Sequence, residues 1–337
     1  MRLNRRQALV GGFALAALSS TRGFAQAKTE ISISRQPGVL YLPSHVIEKQ
    51  KLIEKHAEKL GVAGGKVNWV NFSGGGAQQD ALISGNVDVI NTGTGQLLLL
   101  WDRTKSGVKG IVASSAQPLA FITRDPRIQS LKDIASGDKI AVPTVKTSTQ
   151  AILLQMAAAQ MFGPDQWTHF DPFTVQMGHP DAVIAMKNAT HEVKNHFAAP
   201  PFSYYEMKSV PGARVIIQSP EIIGGPLSQA QFFTTTKFAD ANPVMIKAIR
   251  AAAEEAKQFI EAKLPEAIEI YKEITGDKTE SATLVDVFAQ PGMMEWNLYP
   301  QGTMKFAAHL HKAGTLKTMP ASWKDYYLPV AHDLAGN

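Results

Sequence analysis

The chain of 337 residues has no cysteine. That single absence excludes disulfides, cysteine nucleophiles, thiolate metal sites and iron–sulfur clusters. It also removes the lipid-modified cysteine that would tether an exported protein to a membrane. Beyond the first 27 residues no stretch approaches the ~18 consecutive apolar residues that a bilayer span needs. Neither a G-x-S-x-G elbow nor an H-E-x-x-H pair occurs. The nine histidines pair poorly as ligands. His309 and His311 would point to nearly opposite faces of one helix, and His191 and His196 to opposite sides of one strand. His196 alone draws interest, because it stands at a strand end directly before "FAAPPF".

Acids are also missing from the start: none precedes Glu30. Arg2, Arg5 and Arg6 lead into an apolar run over 8–18, and Ala25-Gln26-Ala27 closes the segment. Basic start, short apolar middle and an A-x-A site form a cleavable export signal over 1–27, too short to span a bilayer. Arg5-Arg6 with Gln7 and Leu9 fits twin-arginine export, while Asn4, Ala8 and Val10 depart from it, so twin-arginine and general secretion both stay open. The four arginines of this segment account for most of the formal charge; without them +5 falls to +1. A near-neutral remainder lacks the basic footprint of a nucleic-acid binder. Export without disulfides or a lipid anchor points to a soluble protein of a bacterial periplasm. The 310 residues left when 27 are removed from 337 exceed one comfortable core, so two lobes are expected.

Strand and helix signals alternate along the chain, which argues for βαβ units and a mainly parallel sheet. Strands are expected at 31–35, 66–71, 87–91 and 109–114, with helices over 44–60, 77–83 and 96–104. A second series begins near Ala120, with strands "AFIT" and "KIAV", a strong helix over 148–162, a shorter helix over 181–188 and a strand over 191–197. "DALISGNVDVINTG" and "DAVIAMKNATHEVKNHFAA" echo each other, a weak two-fold repeat. From Asn242-Pro243, a helix-start pair, the chain reads as mostly helical. Lobe one is therefore expected to be discontinuous, 28–116 plus 227–337, with lobe two at 117–226 inserted through crossings at "SSAQP" and "IIGGP".

The richest stretch is "NFSGGGAQQDALISGNVDVINTGTG", where two glycine turns surround one helix. Neither turn is a nucleotide fingerprint. Counting from Gly74, both G-x-x-x-x-G-K-[ST] and G-x-G-x-x-G require a glycine where Gln79 stands, and from Gly93 the sixth position is Leu98. What remains is strand, small-residue turn, helix, which leaves unpaired backbone N–H groups and a positive dipole end facing outward. Four segments share this form: Gln36 to Val39, Ser73 to Gly76 (with Gly74 and Gly75), Thr92 to Gly95 (with Gly93 and Thr94), and the hydroxyl-bearing Thr147-Ser148-Thr149. Together they outline a cleft for an anionic or strongly polar solute beyond the carboxyl ends of the strands. Arg35, ending the first strand, suits a carboxylate or sulfonate, or is an ordinary surface arginine. Tyr41, Phe72, Phe197 and Phe202 adjoin the turns, either as walls for an aromatic acid or as core.

"FSGGGAQQDALISGNVDVINTG", "DKIAVPTVKTSTQAILLQMAA" and "FADANPVMIKAIRAAAEEA" resemble the periplasmic substrate-binding proteins of ABC importers, in the nitrate/sulfonate/taurine group with its thiamine-precursor-binding relatives. The resemblance covers almost all of the chain after the signal. It implies an α/β, two-lobed type II periplasmic-binding-protein fold with two crossings and a cleft that closes on a solute. It also implies delivery to a membrane permease driven by a separate ATPase, with no cofactor and no metal, by a monomer. The ligand contacts it implies are Gln36, Gly38 and Val39; Ser73 to Gly76; Thr92 to Thr94; Lys146 to Thr149; and the His196–Pro200 loop with Phe197 and Ala198. The group also resembles a pyrimidine synthase that consumes its own histidine, but that branch needs cysteines absent here. An enzyme using the same cleft, and a sensor presenting its ligand to a receptor, are the rival readings.

Overall fold

The computed structural model describes residues 28–337, so the export-signal reading of 1–27 lies outside the described residues. The chain begins with β1 (Glu30–Arg35), α1 (Leu42–Lys49), α2 (Leu52–Lys59), β2 (Lys66–Asn71), α3 (Gly75–Ser84), β3 (Val89–Thr92), α4 (Thr94–Arg103) and β4 (Val108–Ser115). It continues through β5 (Ala120–Thr123), β6 (Lys139–Val142), α5 (Thr149–Phe162), β7 (Thr174–Gln176), α6 (His179–Lys187), β8 (Val193–Ala198), α7 (Phe202–Ser209), β9 (Arg214–Gln218) and α8 (Ser219–Ile223). It ends with β10 (Ala230–Thr235), α9 (Thr236–Ala241), α10 (Pro243–Ala262), α11 (Leu264–Thr275), α12 (Ser281–Phe288) and α13 (Thr303–Lys312).

These strands form two sheets, ordered β2-β1-β3-β10-β4 and β7-β6-β8-β5-β9. The pairs of β1 with β2 and β3, and of β6 with β7 and β8, are parallel; β10 and β5 run antiparallel to their neighbours. Both exceptions have one cause. Each is the first strand after the chain passes from one sheet to the other, so it enters from the end where the parallel strands finish. The result is a two-lobed α/β fold, each lobe one sheet flanked by helices.

Burial follows strand position. β3, inside the first sheet, is buried along its whole length, and β4, at one edge, is buried because α4, α10 and the C-terminal segment pack on it. β2, "KVNWVN", lies at the sheet edge and stays largely open to solvent, where polar side chains discourage strand addition. In α10, Met245, Ile246, Ile249, Ala253, Ala256 and Ile260 recur every three or four residues and are buried, giving a core-facing stripe that rests on α1, α2 and β4. The single helix expected over 44–60 is two helices. Lys51 adopts a left-handed backbone (φ 50) between them, and the bend lets α1 face both α10 and α11 while α2 lies along α10. β7, α7 and α8 were not anticipated; they are three to eight residues long, too short for a periodic signal.

The C-terminal segment closes over the first sheet at Gly110 of β4. The Tyr327 backbone pairs there and the Leu328 amide donates to the Gly110 carbonyl at 2.7 Å. A Cβ at residue 110 would lie 2.8 Å from the Tyr327 ring. Gly110→Ala is therefore expected to destabilise the fold by about 1–3 kcal/mol, read as a lower urea midpoint at unchanged m-value; an unchanged midpoint would refute this packing.

Candidate functional site

Four helices begin around one cavity between the lobes. Gly75 opens α3, Gly93 precedes α4, Ser148 and Thr149 start α5, and His179-Pro180 start α6; all line the same space, about 40 Å³ in this closed arrangement. Two of the helices belong to each lobe. Gln36, Ser73 and Gly93 follow β1, β2 and β3, while Pro143 follows β6 and His179 follows β7. Leu119 and Gln229 stand just before the antiparallel β5 and β10. The cavity thus lies beyond the carboxyl ends of the parallel strands of both sheets, where ligands of open α/β sheets sit. First-turn amides have no intrahelical acceptor, so backbone donors from four directions converge here.

Of the residues expected from sequence, the structure brings Gln36, Tyr41, Ser73, Gly75, Thr92, Gly93, Ser148 and Thr149 to the cavity wall. Gln36 is fixed by donating to the Tyr41 hydroxyl at 2.7 Å and to the Asn91 carbonyl at 3.2 Å. Burial raises the Tyr41 phenol well above its ordinary pKa, so it stays protonated. The Ser148 hydroxyl accepts from the Ala151 amide and caps α5.

The remaining expectations fall elsewhere. Arg35 does not line the cavity: its Nη1 holds both Glu48 oxygens at 2.7 Å and its Nε donates to Asn71 Oδ1 at 2.7 Å. An arginine satisfied in this way has no fork left for a guest. Lys146 is exposed and lines a separate surface hollow with Asp171. Val39, Phe197 and Ala198 are fully buried core, as their apolar side chains dictate. Thr94 is buried and spends its hydroxyl on the Ser228 carbonyl at 2.6 Å. Gly38, Gly74, Gly76 and Thr147 abut the facing lobe instead of the cavity. His196 is wholly buried behind the wall.

Pro37, within the expected Gln36-to-Val39 segment, also lines the cavity, while sequence reasoning missed Leu40, Gln96, Leu119, Pro143, Gln150, His179, Pro180 and Gln229, which complete the lining. Gly178-His179-Pro180 carries the same strand–turn–helix signal as the glycine turns, but the three-residue β7 before it hid the pattern. Among the described lining residues no Lys, Arg, Asp or Glu occurs. The wall is instead rich in amides, and Gln229 Nε2 and Gln96 Oε1 are buried without a partner. Behind it runs a relay: Gln150 Nε2 lies 3.3 Å from His179 Nε2, His179 Nδ1 lies 2.7 Å from His196 Nε2, and His196 Nδ1 lies 2.6 Å from Glu206 Oε1. Phe202 stacks on the His179 ring at 5.5 Å.

No family model matches this sequence, and no curated protein does. Solved structures do. The alkanesulfonate-binding protein SsuA from Xanthomonas axonopodis pv. citri, bound to MOPS, superposes with a TM-score of 0.70 at 16% identity, covering 89% of this chain and 99% of that one. The periplasmic nitrate-binding protein NrtA from Synechocystis PCC 6803 gives 0.64 at 15%, covering 88% and 84%. A Candida albicans protein described as having the generic periplasmic binding protein fold gives 0.62 at 14%, covering 89% and 96%. The fold is that of the periplasmic binding proteins.

In a periplasmic-binding-protein fold the two lobes must meet closely, and here the glycines permit it. A Cβ at Gly95 would fall 2.5 Å from Ile152 Cδ1 and 2.8 Å from the Thr147 carbonyl of the other lobe, and one at Gly93 would collide with the Thr149 hydroxyl. A Cβ at Gly76 would meet Thr144 at 3.2 Å, and one at Gly38 would meet Phe202 and the Pro200 carbonyl at 3.4 Å. Across the opposite side, Asp277 after α11 accepts from Tyr205 of α7 at 3.0 Å and from Tyr271 at 2.9 Å. Burial pushes the Asp277 carboxyl up, but hydrogen bonds from Thr279, Tyr271 and Tyr205 outweigh it and hold the pKa below the ordinary value. This contribution is therefore present above the unfolded-state pKa of about 3.9 and is lost as pH falls through the folded-state value.

Gly95→Ala is expected to prop the lobes apart, costing the closed form about 1–3 kcal/mol; small-angle scattering should show a larger radius of gyration, and an unchanged radius would refute the seam. Tyr205→Phe removes one inter-lobe hydrogen bond, about 1 kcal/mol. Solute affinity measured by calorimetry should drop about fivefold, with Tm nearly unchanged; wild-type affinity would show that Tyr205 is not a latch.

Proposed function

We propose that this chain is the periplasmic solute-binding component of an ABC importer. It captures a small organic anion between its lobes and hands it unchanged to a membrane permease served by an ATPase. The observation that carries the reading is the convergence of four helix starts, two from each lobe, on one cavity lined by amides and hydroxyls. Helix N-termini offer unpaired amides and a partial positive charge, enough to receive an oxyanion without a cationic side chain. The unpartnered Gln229 Nε2 adds a side-chain donor. Because each lobe supplies half the donors, a bound anion bridges them and stabilises the closed form.

Arg35, read from sequence either as the anion's partner or as an ordinary surface arginine, has no place in this scheme, since Glu48 and Asn71 occupy it. That the similar structures include an alkanesulfonate-binding protein bound to MOPS and a nitrate-binding protein supports an oxyanion over a cation. We further propose export through 1–27, a lobe division at 28–116 plus 227–337 against 117–226, and a monomer. Among the described residues no helix is long and apolar enough to cross a membrane.

Calorimetry against aliphatic sulfonates, aromatic carboxylates, nitrate and neutral pyrimidines tests the reading. At least one anion should bind, and Gln229→Leu should weaken it about tenfold, the worth of one hydrogen bond to a charged group. Binding of the pyrimidines but of no anion would sink the proposal.

A further inference from the structure

The relay behind the cavity wall carries a consequence for which atoms the solute must present. Glu206 and His196 are fully buried. Among the described residues the only side chain hydrogen-bonded to Glu206 is His196, at 2.6 Å, and Glu206 Oε2 has no partner. Each link of a relay needs one proton between its two heavy atoms, so two arrangements exist. In the first, Glu206 is ionised, both imidazoles are neutral, His196 Nδ1–H points to Glu206, and His179 Nδ1–H points back to His196. His179 Nε2 is then a bare acceptor facing the cavity.

The second arrangement holds one more proton. That proton sits either on Glu206, donating to His196 Nδ1, or on His196 as an imidazolium paired with the carboxylate. Both placements give the same outcome: His196 Nε2–H donates to His179 Nδ1, and neutral His179 carries its own proton on Nε2.

Burial decides between them. The first arrangement leaves one uncompensated negative charge away from solvent, which is strongly unfavourable. The second is neutral overall, or a hydrogen-bonded ion pair. We infer that the Glu206–His196–His179 relay holds this extra proton, so that His179 presents an Nε2–H donor to the cavity and selects a solute with an oxyanion oxygen there over one with an ammonium or amine. Burial and the adjacent His196 also keep the His179 pKa well below its ordinary value, consistent with a neutral ring that accepts at Nδ1. Gln150, 3.3 Å away, then turns its amide oxygen to the ring and accepts the Nε2–H until a solute oxygen takes its place. Stacking on Phe202 holds the ring in the plane that both bonds need. His179 is thus a contact residue, and His196 and Glu206 are positioning residues acting through it.

This inference rests on the solute-binding reading above, but its first test needs no solute. Long-range proton–nitrogen correlation spectra of the imidazoles in the full chain at neutral pH should show His179 as the Nε2–H tautomer. Glu206→Gln, whose amide can donate to His196 Nδ1, should keep that tautomer. A His179 ring protonated on Nδ1 in the wild type overturns the inference. The second test is calorimetry with methanesulfonate, nitrate and benzoate. Whichever binds the wild type should lose at least about tenfold in His179→Ala and recover most of it in His179→Gln, whose amide NH reaches the same place. Equal losses in two variants of unchanged Tm overturn the selecting role of the donor. If none of the anions binds the wild type, the anion reading fails, and the relay is judged on the spectra alone.

Discussion

The two lobes approach until no Cβ fits at Gly93 or Gly95, and the rest of the site depends on that distance. α4 of one lobe and α5 of the other pack against each other, and a single apolar cluster runs through Leu97, Leu98 and Phe306 into Ile152 and Leu153. Only at this separation do the starts of α3, α4, α5 and α6 face one another across a space of a few water diameters. A methyl group at residue 95 would meet the Thr147 carbonyl, which as backbone cannot turn aside as the Ile152 side chain can. The glycines of these turns therefore serve the approach of one lobe to the other first, and the guest only as a consequence.

Closing such a seam brings polar groups out of water, and the wall handles this without a permanent charge. Charged side chains are either paired away from the cavity, as Arg35 is with Glu48, or withdrawn behind histidines, as Glu206 is. Helix dipoles and amides then provide the positive field. An isolated cation in the cavity would cost desolvation each time the empty lobes met. Fixed backbone dipoles carry a smaller penalty and lie already aligned by the helices behind them.

The fold was legible because it rests on patterns that a sequence carries openly. Alternating strand and helix signals, the Asn242-Pro243 helix start and the small-residue turns placed most elements within a few residues. The cavity was legible to the same extent: Gln36, Ser73, Gly75, Thr92, Gly93, Ser148 and Thr149 are all strand-end or helix-start residues, and so announce themselves by local chemistry. His179 was not legible, since three-residue β7 carries no periodicity. Gln96 and Gln229 were missed because glutamine has no preferred local role.

Arg35 shows the complementary limit. Its place at the end of β1 was read correctly, but which way its guanidinium turns depends on Glu48, thirteen residues on and in the last turn of α1. Local pattern determined the strands, the helix starts and the need for glycine in the turns, because those follow from φ, ψ and hydrogen bonding among near neighbours. Which turns face the cavity, which charges are already paired, and that His196 stands behind His179 and not in front of it were decided by the packing of two sheets. Those relations join residues tens to hundreds of positions apart, and no local propensity encodes them.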